Sequence, residues 1–230
     1  SQTQTQTQTQ TGNLLGPNAV SPKYNTPKCE FIAQLLHVDE TKLSSHYTPT
    51  WVGAHPSLGE TIAKEIIRRH ISGSHSIPGI PPIIDAKEQV MITEGTRSDF
   101  VLEGSDGRKR IVKVKTVVDT DYCATWTIPK DVKCVFTSVQ QPYRRVGIFP
   151  WGESKQKGPN GETVVSARAI KHVRELGNIV SKGETDATIL FVVIRGDAVA
   201  FRPNAEACPS FARYLKEAEM RGVQILVKRV

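Results

Sequence analysis

Thr96-Arg97-Ser98-Asp99-Phe100, followed after a Gly104-Ser105-Asp106-Gly107 turn by Arg110-Ile111-Val112-Lys113-Val114-Lys115-Thr116-Val117, decides how this chain reads. Valine and isoleucine fill the second run, and Gly and Asp punctuate the turn, so the two runs are expected to pair as a hairpin. Side chains alternate along a strand, which sends Lys113 and Lys115 to one side of the sheet. Asp99 lies on the adjacent strand. An acid beside an acid-x-Lys pair is a framework for holding a divalent metal that activates water for phosphodiester attack. Here the first position of that pair is Lys113, and an ammonium is a donor that cannot ligate magnesium. Asp99 is therefore expected to pair with Lys113 or Lys115 across the hairpin, a contact contributing roughly 0.2–1 kcal/mol.

Outward from the hairpin, apolar strand-like runs alternate with helical periodicity. Ser57 is read as an N-cap with Glu60 completing a capping box, and Leu58, Ile62, Ile66 and Ile67 recur at helical spacing. A second helix is expected from Ser166 to about Val180, with Ala169, Val173, Leu176 and Val180 as its buried stripe. A third starts at Pro209, at the favoured first helical position, and ends at Gly222. Strands are expected at Cys29 to Val38, Ile83 to Ile92, Val132 to Val139, Asp186 to Val193, Ala198 to Phe201 and Val223 to Val227. Gly152 to Thr163 reads as an exposed loop. This alternation predicts an α/β fold. Residues 1–28, an alternating Gln-Thr repeat and a Gly/Pro/Asn/Ser linker, form a low-complexity tail, and residues 29–230 form one domain.

The formal net charge is +7 over 230 residues, which favours an anionic partner such as nucleic acid. Arg108, Lys109, Arg110, Lys113 and Lys115 make one basic cluster, and Arg144 and Arg145 beside Tyr143 make a second. Cys29, Cys123, Cys134 and Cys208 contain no C-x-x-C pair and no histidine at ligand spacing, so they read as free thiols and not as a zinc site. No apolar run approaches the roughly 20 residues of a membrane helix, so no membrane partner is expected. The first residue is Ser1 and not Met, as in an organellar protein whose transit peptide has been removed or in a trimmed chain.

Several stretches, taken in order, resemble the SfsA (sugar fermentation stimulation protein A) family. They are Gly59-Glu60-Thr61-Ile62-Ala63-Lys64-Glu65-Ile66, Arg97-Ser98-Asp99-Phe100, Val112-Lys113-Val114-Lys115-Thr116-Val117 and Gly147-Ile148-Phe149-Pro150, then Ala169 to Leu176, Leu190 to Val193 and Arg221 to Leu226. The resemblance implies a mixed sheet flanked by helices, of PD-(D/E)xK nuclease type. It also implies DNA binding and an N-terminal OB-fold part that has no counterpart in this reading. Carried over residue by residue, Glu65 matches the acid of the first core helix, Asp99 the metal-binding Asp and Lys115 the motif lysine. Lys113 departs from the family's Glu, and Trp151 stands where an acid usually follows the proline.

These readings together lead to an expectation of a catalytically inactive nuclease-fold protein. It would serve as a basic RNA-binding or scaffolding subunit of a large assembly, such as a mitochondrial ribosome, with other proteins of that complex as partners. No catalytic residue, metal or cofactor is expected. Glu65, Asp99, Lys113 and Lys115 would be a remnant pocket, and Arg108, Lys109, Arg110, Lys113, Lys115, Arg144 and Arg145 the nucleic-acid contacts. The expected location is an organelle matrix, otherwise the cytoplasm. The alternative is a metal-dependent nuclease or DNA-binding protein of the SfsA type, using Mg2+ held by Asp99 and Glu65.

Overall fold

The Val/Ile-rich second half of the hairpin is the middle strand of the molecule. The computed structural model describes residues 33–41, 48–93, 95–123, 136–137, 144–152, 154–183 and 185–230. The Gln-Thr tail, the linker and residues 29–32 of the first expected strand lie outside the described residues. So does most of Val132 to Val139, of which Phe136–Thr137 is described as a strand.

In chain order, β1 (Leu35–Val38) pairs antiparallel with β2 (Thr50–Gly53), and α1 (Leu58–Ile71) follows. Next come β3 (Ile83–Glu88), a short ladder of β4 (Met91–Thr93) with β5 (Thr96–Arg97), and the hairpin of β6 (Phe100–Gly104) with β7 (Lys109–Val117). β8 (Tyr122–Cys123) pairs with β9 (Phe136–Thr137), and β10 (Val146–Phe149) precedes β11 (Gln156–Lys157) and β12 (Thr163–Val164). The segment read as a loop after Gly152 thus closes as a small antiparallel ladder, Gln156 opposite Val164 and Lys157 opposite Thr163. The last elements are α2 (Ala167–Val180), β13 (Asp186–Val193), β14 (Ala200–Pro203), α3 (Pro209–Met220) and β15 (Gln224–Arg229).

The central sheet has five strands in the order β15-β13-β7-β6-β3. β7 runs parallel to β13 and antiparallel to β6, and β13 runs parallel to β15, so the sheet is mixed. Parallel neighbours need a crossover, and α2 and α3 supply the helices of β7-to-β13 and β13-to-β15. Both faces are covered. Ile111, Val117, Ile189, Phe191 and Val193 pack with α2 and α3 on one side. Val112, Val114, Leu190 and Val192 pack with Ala63 and Ile67 of α1 on the other. Burial on both faces explains why β13 reads as an almost continuous apolar run and why β7 carries Ile and Val on both sides of the sheet around its lysines. This is the expected α/β architecture, a mixed sheet flanked by helices.

Ser166 caps α2, its Oγ accepting from the Ala169 amide at 3.3 Å. Ser57 does not cap α1. Its backbone is already helical, and its Oγ lies 2.6 Å from His55 Nδ1 instead. The expected capping box therefore does not form, which releases Glu60 for other partners. The buried stripe of α1 is also rotated from the expected one. Gly59, Ala63 and Ile67 are buried, whereas Leu58, Ile62 and Ile66 are half-buried at its flanks.

Candidate functional site

The site forms where β7 passes beside Asp99. Strand alternation puts Lys113 and Lys115 on the face that α2 covers, the same face as Ile111 and Val117. Asp99 sits at the entry to β6, its amide donating to the Val112 carbonyl at 3.2 Å, and its carboxylate is buried. One oxygen, Oδ2, accepts the Val114 amide at 2.6 Å. The other, Oδ1, accepts from Lys113 Nζ at 2.7 Å. Lys113 also donates to the Arg97 carbonyl at 2.8 Å. Asp99 and Lys113 form a buried ion pair, with side-chain exposures of 7% and 8%.

Lys115 lies beside this pair and points to α2, where its Nζ is 3.2 Å from His172 Nδ1. An ammonium can only donate, so Nδ1 accepts and the ring proton sits on Nε2. Burial, reinforced by the neighbouring Lys113, pushes the Lys115 amine down to about 8. His172 is held neutral down to about 3, first by burial and then by the positive charges of Lys115, Lys113 and Arg168. Arg168 and His172 are four residues apart on α2, hence on one helix face. From the opposite side, Glu60 at the start of α1 completes the group. Burial and then the Asp99 charge raise its carboxyl above the usual range, while Lys113, Lys115 and Arg168 oppose that shift. Gln89 Nε2 donates to Glu60 Oε2 at 3.4 Å.

Gly59 makes this position of Glu60 possible. A Cβ built on Gly59 would stand 2.1 Å from Thr116 Oγ1 and 2.9 Å from Thr116 Cβ. Only a residue without a side chain lets the first turn of α1 lie directly on β7.

The structure thus brings together Asp99, Lys113 and Lys115, and does not bring Glu65 to them. Glu65 lies on the solvent face of α1, held by Arg68 Nε at 2.7 Å and Arg69 Nε at 2.7 Å. Those guanidinium groups keep its carboxyl well below the usual range. The acid of α1 that comes near enough to Asp99, Lys113 and Lys115 to feel their charge is the exposed Glu60, about one and a half turns earlier. Glu60 was hidden in sequence by its plausible capping role, and His172 and Arg168 by looking like ordinary helix-surface residues. The i, i+4 spacing of Arg168 and His172 was the available signal.

The expected basic cluster is also divided. Arg108 and Lys109 are exposed at the turn end of the hairpin. Arg110 turns to the face opposite Lys113, bound to Asp186 at 2.8 Å, Thr188 at 3.1 Å and Gln224 at 3.0 Å. Arg144 is exposed, while Arg145 is buried and ion-paired with Glu40 and Asp197. Arg110, Lys113 and Arg145 therefore spend their charge on carboxylates of the same chain.

A nuclease-type pocket would be expected to take a divalent metal, and these residues do not fit one. Both Asp99 oxygens are committed, and the Lys113 ammonium stands against the oxygen that a cation would use. No group of three metal-ligating side chains occurs among the described residues.

Comparison with known proteins places this arrangement. The family model described as the sugar fermentation stimulation protein RE domain, SfsA, matches residues 163–230. The chain is 32% identical over 184 residues to a sugar fermentation stimulation protein homolog of Geobacter sp. (strain M21), covering 78% of this chain and 60% of that protein. It is 26% identical over 200 residues to the homolog of Cyanothece sp. (strain PCC 7425 / ATCC 29141), covering 86% and 64%. The chain therefore spans about three fifths of the length of such relatives. The structure of Pyrococcus furiosus SfsA in complex with Ca2+ is similar in fold, with a TM-score of 0.52 at 20% identity, over 78% of this chain and 60% of that one.

These findings overturn the expectation of an inactive RNA-binding or scaffolding subunit of an organellar ribosome. The relatives are sugar fermentation stimulation proteins, and none of these matches is ribosomal or organellar. The charges on which that expectation leaned are in good part neutralised within the fold. The ordered motifs, the family match over residues 163–230, the relatives and the shared fold agree in their likeness to the SfsA family.

Proposed function

We propose that this chain is a DNA-binding protein of the SfsA type, and that the pocket around Asp99 receives a backbone phosphate. The observation that carries the reading is the Asp99–Lys113 ion pair at 2.7 Å with Lys115 beside it, the Lys115 Nζ 3.2 Å from His172 Nδ1 and Arg168 one turn before His172 on α2. The full cations outnumber the acids there, and after burial it is the charges of Lys113 and Arg168 that disfavour protonation of Lys115. A phosphodiester entering beside Lys115 and Arg168 relieves that repulsion, which is the electrostatic basis of an anion site. The choice of DNA follows the family resemblance, since phosphate contacts position a nucleic acid without reading its sequence. Arg108 and Lys109, exposed at the turn end of the hairpin, and exposed Arg144 add positive charge elsewhere on the surface.

The test is fluorescence anisotropy of the full chain with a labelled DNA duplex and an RNA duplex of the same sequence, across a salt series. DNA is expected to bind more tightly, with log affinity falling linearly against log salt concentration. Lys115→Ala and Arg168→Ala should each weaken binding and reduce the salt slope by about 1. Equal affinity for the two duplexes, or a DNA affinity indifferent to both substitutions, would reject this reading.

A further inference from the structure

We propose that Lys113 is a built-in cation standing in for a divalent ion, so that this pocket engages phosphate without Ca2+ or Mg2+. The inference rests on the DNA-binding reading for its functional consequence, although its core, a pocket closed to metal, stands on geometry alone.

The Lys113 ammonium takes the kinds of partner that a hard cation takes. It is bound by one carboxylate oxygen of Asp99 at 2.7 Å and one main-chain carbonyl of Arg97 at 2.8 Å. Two of its three N–H donors have partners among the described residues, which leaves one for an incoming oxygen. The lysine is not a surface side chain that has swung inward. Its backbone is in register with Ile189 in the middle of the β7–β13 ladder, and its side chain is 8% exposed. Asp99 is fixed as well, because its second oxygen is tied to the Val114 amide.

A divalent ion at this place would have to expel the ammonium from a buried carboxylate. It would then lie among Lys115, Arg168 and the displaced Lys113, with Glu60 as the further carboxylate of the group. Ca2+ takes six to eight oxygen ligands and Mg2+ an octahedral set, neither of which this group supplies. A cation on a strand is also permanent. A metal-dependent pocket responds to the supply of its ion, whereas this one carries its positive charge under all ionic conditions.

The experiment has a metal arm and a DNA arm, each on the full chain as wild type, Lys113→Glu and Lys113→Gln. In the metal arm, Tb3+ luminescence and Ca2+ calorimetry are read without DNA. Wild type is expected to show no stoichiometric site, and Lys113→Glu to gain one that Asp99→Asn removes. In the DNA arm, wild-type affinity at matched ionic strength should agree within about twofold between EDTA and millimolar Ca2+. Lys113→Glu should bind at least about tenfold more weakly in EDTA and recover in Ca2+, while Lys113→Gln should weaken without recovery.

A stoichiometric Ca2+ or Tb3+ site in wild type that Asp99→Asn abolishes would overturn the proposal, even if the Lys113 variants fail to fold. So would wild-type DNA binding that is lost on chelation. If wild type binds no DNA under either condition, the DNA-binding reading fails, and a metal-free wild type beside a metal-binding Lys113→Glu still supports the built-in cation.

Discussion

At the scale of single residues, Lys115 and His172 carry charge states set by where the fold places them. Burial and the neighbouring Lys113 depress the Lys115 amine from the ordinary lysine value of 10.5 to about 8. Between those two values the unfolded chain holds a proton that the folded chain does not. Stability therefore rises as pH climbs from about 8 towards 10.5, and the penalty is fully present below 8. Lys115→Met should remove this rise and make the protein more stable than wild type at neutral pH. Denaturant midpoints of both proteins at pH 7 and pH 10 check it, and a difference that stays constant between the two would count against the burial of Lys115. His172 acts in the same direction at lower pH. Its neutral ring costs nothing above its ordinary value of 6.5, and stability contributed by the neutral ring is lost as pH falls towards about 3.

At the scale of elements, the seating of α1 on β7 decides what the pocket contains. Gly59 touches Thr116, and Thr116 Oγ1 donates to the Pro56 carbonyl at 2.8 Å. Helix propensity alone would make Gly59→Ala stabilising by roughly 0.5–1 kcal/mol. The close approach predicts the opposite sign. A methyl group there must turn a β-branched side chain out of its hydrogen bond or lift the helix, at a cost of about 1–3 kcal/mol. Lifting the first turn also withdraws Glu60 from the pocket. Urea unfolding of Gly59→Ala measures the sign directly, and a midpoint above that of wild type would show that α1 does not rest on Thr116 as described. The β6–β7 hairpin was readable from sequence because alternation and turn residues are local signals. The capping role assigned to Ser57 and Glu60 was equally local in appearance, yet it failed, because His55 competes for the Ser57 hydroxyl.

At the scale of the whole molecule, a buried ion-pair network ties the β1–β2 ladder to the central domain. Glu40, just after β1, accepts from Arg195 Nη2 at 2.9 Å and also pairs with Arg145. Asp197 binds Arg195 Nε at 2.7 Å and Arg145 Nη1 at 2.5 Å. Main-chain bonds run alongside, from the Gly53 amide to the Ile194 carbonyl at 2.7 Å and from the Gly196 amide to the Trp51 carbonyl at 3.2 Å. Removing one member leaves a buried guanidinium short of a counter-charge, so Glu40→Ala should destabilise by about 3–5 kcal/mol. Glu40→Gln, which keeps an acceptor, should cost less. Chemical unfolding of the three proteins compares them, and losses below about 0.5 kcal/mol for both variants would mean that the ladder is not held by this network. In the sequence Arg145 looks like a nucleic-acid contact because a Tyr-Arg-Arg run resembles an exposed basic patch. Its partners are 105 and 52 residues away in sequence, so no local pattern could reveal them.

The sequence by itself determined the α/β alternation, the three helices, the β6–β7 hairpin, the side of the sheet that Lys113 and Lys115 share, and the pairing of Asp99 with a strand lysine. Each of these depends on contacts within a few residues or on a period of 2 or 3.6, which a linear reading can detect. Only the tertiary structure decided which lysine pairs with Asp99, that Glu60 and not Glu65 comes near enough to the pocket to feel its charge, and that Arg110 and Arg145 are spent internally. Those outcomes depend on how α1 rotates on the sheet and on which distant carboxylates meet a buried cation. A helix can present either of two acids five residues apart to its neighbour with little change in its own pattern. The close approach of Gly59 to Thr116, across the gap between two elements, settles the choice.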